Sequence, residues 1–283
     1  MSALPSRLGT SRVVERILTS DAPQQRATAA KLPVCDVLGV GINAATSDEV
    51  VSYCEAAIDR MESLRLGVVN AAKLVHMRSD RLLRESVVTS DLVFADGMAV
   101  VWASRLLGNP LPERVTGIDL FERLMASAER RGESIFLLGA KQDVLERLVE
   151  VVATRHPDLR IAGTRSGYFS DEDSAGVANQ IRESGATMLF VGISSPKKEI
   201  FLARHGNQLG VALCHGVGGS FDVVAGRTPR APEFWQRVGL EWLFRLVQEP
   251  RRMWRRYLVT NTVFIVLVAR ACVARWLRGS AAS

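Results

Sequence analysis

Ser90-Asp91-Leu92-Val93-Phe94-Ala95-Asp96-Gly97 places a short apolar run, Leu92 to Ala95, between polar residues, with a carboxylate and a glycine directly after it. Such a run suits a strand buried on both faces of a parallel sheet. Asp96 then lies at the carboxyl end of that strand, the edge of an open α/β sheet where ligands bind. A carboxylate there can take a proton from a bound hydroxyl. Asp is equally suited to cap a helix starting near Met98, and the sequence alone leaves both readings standing.

Working outward, strands and helices alternate on both sides. Cys35–Val40 reads as a first strand, and Thr46 with Glu49 has the spacing of a capping box for a helix to about Glu62. A strand over Leu64–Asn70 precedes short helical patterns at Ala72–Met77 and Arg81–Val88. After Asp96 come helices over Met98–Leu107 and from Thr116-Gly117 to Arg131. The second half repeats the theme, with strands at Ser134–Leu138, Leu159–Arg165, Met188–Val191 and Val211–His215, and helices at Asp143–Arg155, Asp171–Glu183 and from Lys197 to His205. This pattern predicts a three-layer α/β fold with a mostly parallel sheet flanked by helices. The expected organisation is a mobile leader over 1–32, α/β halves over 33–133 and 134–230, and a helical appendage over 231–283.

That appendage is distinct in charge. Residues 227–278 hold eleven Arg, no Lys and three Glu, a net +8 in a chain of net +6, with four of the five tryptophans. Pro250 should break or restart a helix, after which Arg252, Arg255 and Arg256 share roughly one face. Tyr257–Ala269 is largely apolar but short of the ~20 residues that span a bilayer. Arg and Trp around it suit a helix lying in an anionic membrane interface; docking on the protein body or on another subunit is the alternative. No apolar signal core is present at the N-terminus, and the four scattered cysteines suggest reduced thiols in a cytosolic protein.

Gly39-Val-Gly-Ile-Asn-Ala44 matches a dinucleotide fingerprint, but no acid ends the following strand, so a nicotinamide-dependent oxidoreductase or epimerase is disfavoured. Asp171-Glu-Asp173 has an Asp-x-Asp form that can hold a metal, yet acids at a helix start need no ligand to explain them. His76, His156, His205 and His215 lack metal-ligand spacing. Glycine turns at Gly139, Gly192 and Gly216–Gly219 would set backbone amides at helix N-termini, a cradle for pyrophosphate. Arg245, Arg252 and Arg255 can pair with a diphosphate in place of a metal, although any one of them is as readily explained as part of a solvated or lipid-facing charge stripe.

Taken in order, Asn70-Ala-Ala-Lys-Leu-Val, Ala95-Asp-Gly, Leu111-Pro-Glu-Arg-Val-Thr-Gly-Ile-Asp-Leu, Leu138-Gly-Ala-Lys, Gly167-Tyr-Phe, Ser195-Pro-Lys-Lys-Glu, Gly216-Val-Gly-Gly-Ser-Phe-Asp, Arg230-Ala-Pro and Gly239-Leu-Glu-Trp-Leu-Phe-Arg with Glu249-Pro-Arg resemble the WecG/TagA/CpsF bacterial glycosyltransferases over roughly 34–256. The resemblance implies a Rossmann-like transferase fold and inverting transfer of a sugar from a UDP-sugar to a polyprenyl-diphosphate-linked sugar. It implies no metal or other cofactor, and a place on the cytoplasmic face of the inner membrane. It marks Asp96 as the general base and Arg245, Arg252 and Arg255 as closing over the diphosphate. Substrate-binding positions carried by the same motifs are Asn70, Gly97, Arg114, Gly139, Ala140, Tyr168, Gly192, Lys197, Lys198, Glu199, Gly218, Gly219 and Asp222. The implied partners are the donor, the lipid-linked acceptor and the anionic membrane, with no nucleic acid; a homo-oligomer is left open. Two departures stand out. Val68 replaces a pocket threonine common in the family, and Lys198 replaces a glutamine, a change that suits a uronic-acid or otherwise anionic sugar.

Overall fold

The computed structural model describes residues 32–280; the expected leader falls, but for residue 32, outside them. The described chain begins with an antiparallel hairpin, β1 (Val34–Val37) and β2 (Val40–Asn43). Its two-residue turn places Leu38 at φ 58° and Gly39 at φ 80°, the positive angles of a tight hairpin turn. The single strand expected over Cys35–Val40 is thus two strands. The glycine fingerprint lies in a hairpin instead of a strand-to-helix turn, so it has no helix N-terminus to offer a pyrophosphate.

Six parallel strands form one sheet in the order β4 (Leu92–Ala95), β3 (Leu64–Val69), β8 (Leu213–Gly216), β7 (Met188–Gly192), β5 (Ser134–Gly139) and β6 (Arg160–Arg165). Every residue of β4, β5, β7 and β8 is buried, whereas the edge strand β6 is not. That is why the central strands read as continuous apolar runs. Because β8 pairs with β3 and β7, the sheet runs across both halves of the chain.

Helices cover both faces. Those in chain order are α1 (Ser47–Asp59), α2 (Ala71–His76), α3 (Arg81–Val88), α4 (Met98–Leu106), α5 (Gly117–Arg131), α6 (Gln142–Arg155), α7 (Ser174–Glu183) and α8 (Lys197–His205). The short α9 (Ser220–Val224) and α10 (Glu233–Arg237) precede α11 (Glu241–Gln248) and the long α12 (Pro250–Ser280). Thr46 and Glu49 form the anticipated capping box of α1. On one sheet face Phe121 of α5 packs edge-on against Phe190 of β7, centroids 4.7 Å apart, within the largest apolar cluster. The other face carries two clusters, one of which unites the hairpin, α2, α4 and Phe264 and Val268 of α12.

The tail differs from expectation in extent. Pro250 opens α12, as its fixed φ allows at a helix start, but the apolar segment is part of a 31-residue helix. Met253–Arg278 is long and apolar enough, by length and composition, to cross a membrane. In the folded chain, however, Met253, Thr260, Phe264 and Val268 are buried. Further along, Arg275 donates to the Leu107 carbonyl. A stripe of α12 thus docks along the body, while Leu258, Ile265, Val273 and Trp276 on the opposite side stay exposed. Docking and an exposed apolar face, posed as alternatives by the sequence, coexist on two sides of one helix.

Candidate active site

Asp96 follows β4 directly, its amide bonded to the Val69 carbonyl at 2.8 Å. Gly97 caps α4 without a side-chain bond, so Asp96 does not perform the capping role that the sequence left open. Its Oδ1 instead accepts the Gly117 amide at 2.9 Å, the first amide of α5. Burial raises the Asp96 pKa above the usual carboxylate range, and Glu241 adds to the rise. The Gly117 amide, Arg245 and Lys73 oppose it. A fixed carboxylate with raised basicity is suited to taking a proton from a ligand.

Beside it lies a buried charge network. Lys73 Nζ donates to the Val68 carbonyl at 2.6 Å and to Glu199 Oε1 at 2.8 Å, and Lys198 Nζ stands 3.7 Å from the same oxygen. Burial, reinforced by Lys73, pushes the Lys198 ammonium down to about 8. Burial works to raise Glu199, but the two lysines outweigh it and hold its carboxyl below the ordinary value. His215 at the end of β8 is fully buried. Its Nε2 lies 3.0 Å from the Gly117 carbonyl, which accepts, so Nε2 carries the hydrogen. Desolvation drops this imidazole to about 4, keeping it neutral. His215 Nδ1 and Glu199 Oε2 find no hydrogen-bond partner among the described residues.

The glycine turns are tighter than a simple cradle. Gly139 (φ 150°) and Gly192 end neighbouring strands in direct backbone contact. A Cβ on Gly139 would collide with the Gly192 backbone, and one on Gly192 with the Phe221 ring. Gly192→Ala is expected to lower stability by about 1–3 kcal/mol through overpacking, read from the denaturant midpoint; an unshifted midpoint would show that the ring gives way. The amide of Ala140 bonds to Gly192, and those of Val217 and Gly218 bond to Val191. These three are therefore committed within the fold, which narrows the cradle inferred from the sequence. Gly219 caps α9 with no side-chain bond, and Asp222 lies half-buried in that helix.

Asn70 caps α2, accepting the Lys73 amide at 3.0 Å, and thereby positions Lys73. Arg114 and Arg245 both pair with Glu241, at 3.0 and 3.6 Å, which ties the loop before α5 to α11. Lys197 points elsewhere. Its ammonium lies 4.1 Å from the Phe169 ring centroid and donates to the carbonyls of Gly167 and Phe169, bracing the loop that carries the exposed Tyr168. Arg255 is exposed, its guanidinium 5.8 Å from the Trp254 ring; the side chain of Arg252 lies outside the described set. Asp173 closes a turn on Ser170 and Asp171 pairs with Arg204 at 3.6 Å. Among the described residues no three His, Cys, Asp or Glu side chains group to hold a metal ion.

The sequence assigns no site role to Lys73, His215 or Glu241. Lys73 had a signal, three residues after a capping Asn at a strand end. His215 has a partner 98 residues away; Glu241 has a local partner in Arg245, four residues on, but its second partner, Arg114, is 127 residues away.

A parallel sheet whose carboxyl edge gathers a raised-pKa carboxylate, buried lysines and arginines is the arrangement of an α/β enzyme. The chain belongs to the WecG/TagA/CpsF family of glycosyl transferases, whose model matches residues 35–278. It is similar to the N-acetylglucosaminyldiphosphoundecaprenol N-acetyl-beta-D-mannosaminyltransferase of Bacillus subtilis (strain 168), 35% identical over 71% of this chain and 77% of that protein. The protein of the same name from Bacillus spizizenii is 39% identical over 62% of this chain and 67% of its own length.

Proposed function

We propose that this glycosyltransferase moves a hexose-type sugar, such as N-acetylmannosamine, its uronic acid or a related hexose, from a UDP-sugar to a polyprenyl-diphosphate-linked sugar, with inversion and without a metal, in the assembly of cell-surface polysaccharide. The observation that carries the reading is Asp96, aimed by the α5 amide and made more basic by burial. The names of the two relatives support the acceptor class. In this mechanism the acceptor hydroxyl attacks the anomeric carbon while Asp96 takes its proton. The bond from that carbon to the diphosphate oxygen breaks, and its electron pair leaves with UDP. Arg245, Arg252 and Arg255 offset the charge on the departing diphosphate.

The docked stripe of α12 favours a helix lying along the membrane surface, its exposed face in the lipid. We place the enzyme peripherally, on the cytoplasmic face, where UDP-sugars and the lipid acceptor meet.

The test is UDP release from purified enzyme given a panel of UDP-sugars, a short-chain polyprenyl-diphospho-sugar and excess chelator. Acceptor-dependent release from one donor that survives chelation is the expected result. Release abolished by chelator would overturn metal independence, and release without acceptor would overturn transfer.

The site also predicts a pH profile. Base catalysis needs ionised Asp96, so kcat/KM rises as pH passes the raised carboxyl value. If Lys198 holds an anionic donor, activity falls again near pH 8 as its ammonium deprotonates. Lys198→Gln should remove the basic limb and leave the acid limb in place. An unchanged basic limb would show that Lys198 does not meet the donor.

A further inference from the structure

We propose that the cavity between the β1–β2 turn and the far end of α12 binds the phosphate of an anionic lipid headgroup. This inference rests on the membrane association proposed above and adds to it a discrete site, part of which comes from the protein body. The cavity measures about 660 Å³, and four of its lining side chains are arginines: Arg78 from the loop after α2, and Arg270, Arg275 and Arg278 from α12. The one carboxylate that lines it, Asp36, is occupied with the Gly39 amide at 3.1 Å. Arg275 is fixed at the wall by the Leu107 carbonyl. Arg78, Arg270 and Arg278 make no ion pair with a carboxylate among the described residues.

Four guanidiniums facing one carboxylate repel one another, and an anion among them relieves that repulsion. The planar guanidinium fork matches phosphate oxygens in pairs, which makes phosphate the fitting anion. The apolar flank says where it comes from. Arg270 and Arg278, eight residues apart, share one side of α12, next to the exposed Val266, Val273, Trp276 and Leu277. A helix with that face in the acyl boundary holds its flanking arginines at headgroup level. Because Arg78 belongs to the body, the four arginines meet only while α12 is docked. Lipid binding and docking therefore support each other.

The experiment is co-sedimentation of the full chain with phosphatidylcholine vesicles, with and without phosphatidylglycerol, for wild type, Arg78→Gln, Arg270→Gln and Arg256→Gln. Arg256 is also exposed on α12 and does not line the cavity. Each cavity variant should lose at least about tenfold in binding to the anionic vesicles, as for a lost charged hydrogen bond. Arg256→Gln should lose no more than about fivefold, as for one charge near a surface. Unchanged melting temperatures would exclude misfolding. Equal losses in all three would mean diffuse attraction and overturn the site. Binding of inorganic phosphate to the protein in solution, lost in Arg78→Gln, together with vesicle binding unchanged in both cavity variants would assign the cavity to soluble phosphate and overturn the lipid reading. Failure to bind any vesicle would overturn membrane association as well, while UDP release from a short-chain acceptor, unchanged in all three variants, would leave the proposed reaction standing.

Discussion

Asp96→Asn should reduce acceptor-dependent UDP release by about 10²–10⁴-fold, the range for losing a positioned general base. The substitution is close to isosteric, and an Asn oxygen can still accept the Gly117 amide, so the architecture should persist. Stability provides the control. A carboxyl with a higher pKa in the folded than in the unfolded state holds extra protons when folded, so ionising it costs stability as pH rises past the unfolded value. At neutral pH the neutral Asn escapes that cost, and the variant should melt at the same temperature or higher. An inactive enzyme that is no less stable is the signature of a catalytic carboxylate. A less stable variant, or an active one, would return Asp96 to a structural role.

Glu199→Ala is expected to have the largest effect on stability, a loss of about 3–5 kcal/mol, as for one partner removed from a buried ion pair. Both members of the Lys73–Glu199 pair have side chains only 9% exposed. Without the carboxylate, Lys73 and Lys198 remain as like charges with nothing between them. Urea denaturation measures the loss, and the double variant Lys73→Met/Glu199→Leu separates its causes. Replacing both charges with apolar groups should recover much of the stability, because the penalty comes from an unpaired buried charge more than from the missing bond. No recovery would mean that the Lys73 bond to the Val68 carbonyl matters more.

The Lys73–Glu199 pair also shows where the sequence stops being readable. Glu199 was marked by a motif, but its partner is 126 residues away, and nothing in either local pattern joins them. Likewise Arg114 and Arg245 meet on Glu241: the Arg245 contact is local, four residues along one helix, but the Arg114 contact crosses 127 residues and no local pattern shows it. Local chemistry was legible where it is local. The Thr46–Glu49 capping box and the buried runs of β4 and β7 depend on residues within a few positions of one another. The hairpin at the first strand has a local cause too, since Leu38 adopts a positive φ that a leucine rarely takes. That turned an apparent strand into a hairpin. In the tail, flanking arginines interrupt the apolar pattern and make it look short, whereas the helix continues through them on its exposed and cavity-facing sides.

The sequence by itself determined the alternation of strands and helices, the parallel sheet that alternation implies, the carboxylate at the end of β4 and the basic character of the tail. Each follows from periodicity, capping and charge within a short window. Only the tertiary structure decided that Asp96 is held by α5 instead of capping α4, that Lys198 is buried beside Lys73, and that α12 docks along the body with its arginines around one cavity. Burial and pairing across long stretches of chain set these, because desolvation and Coulomb energy depend on distance in space and not along the sequence.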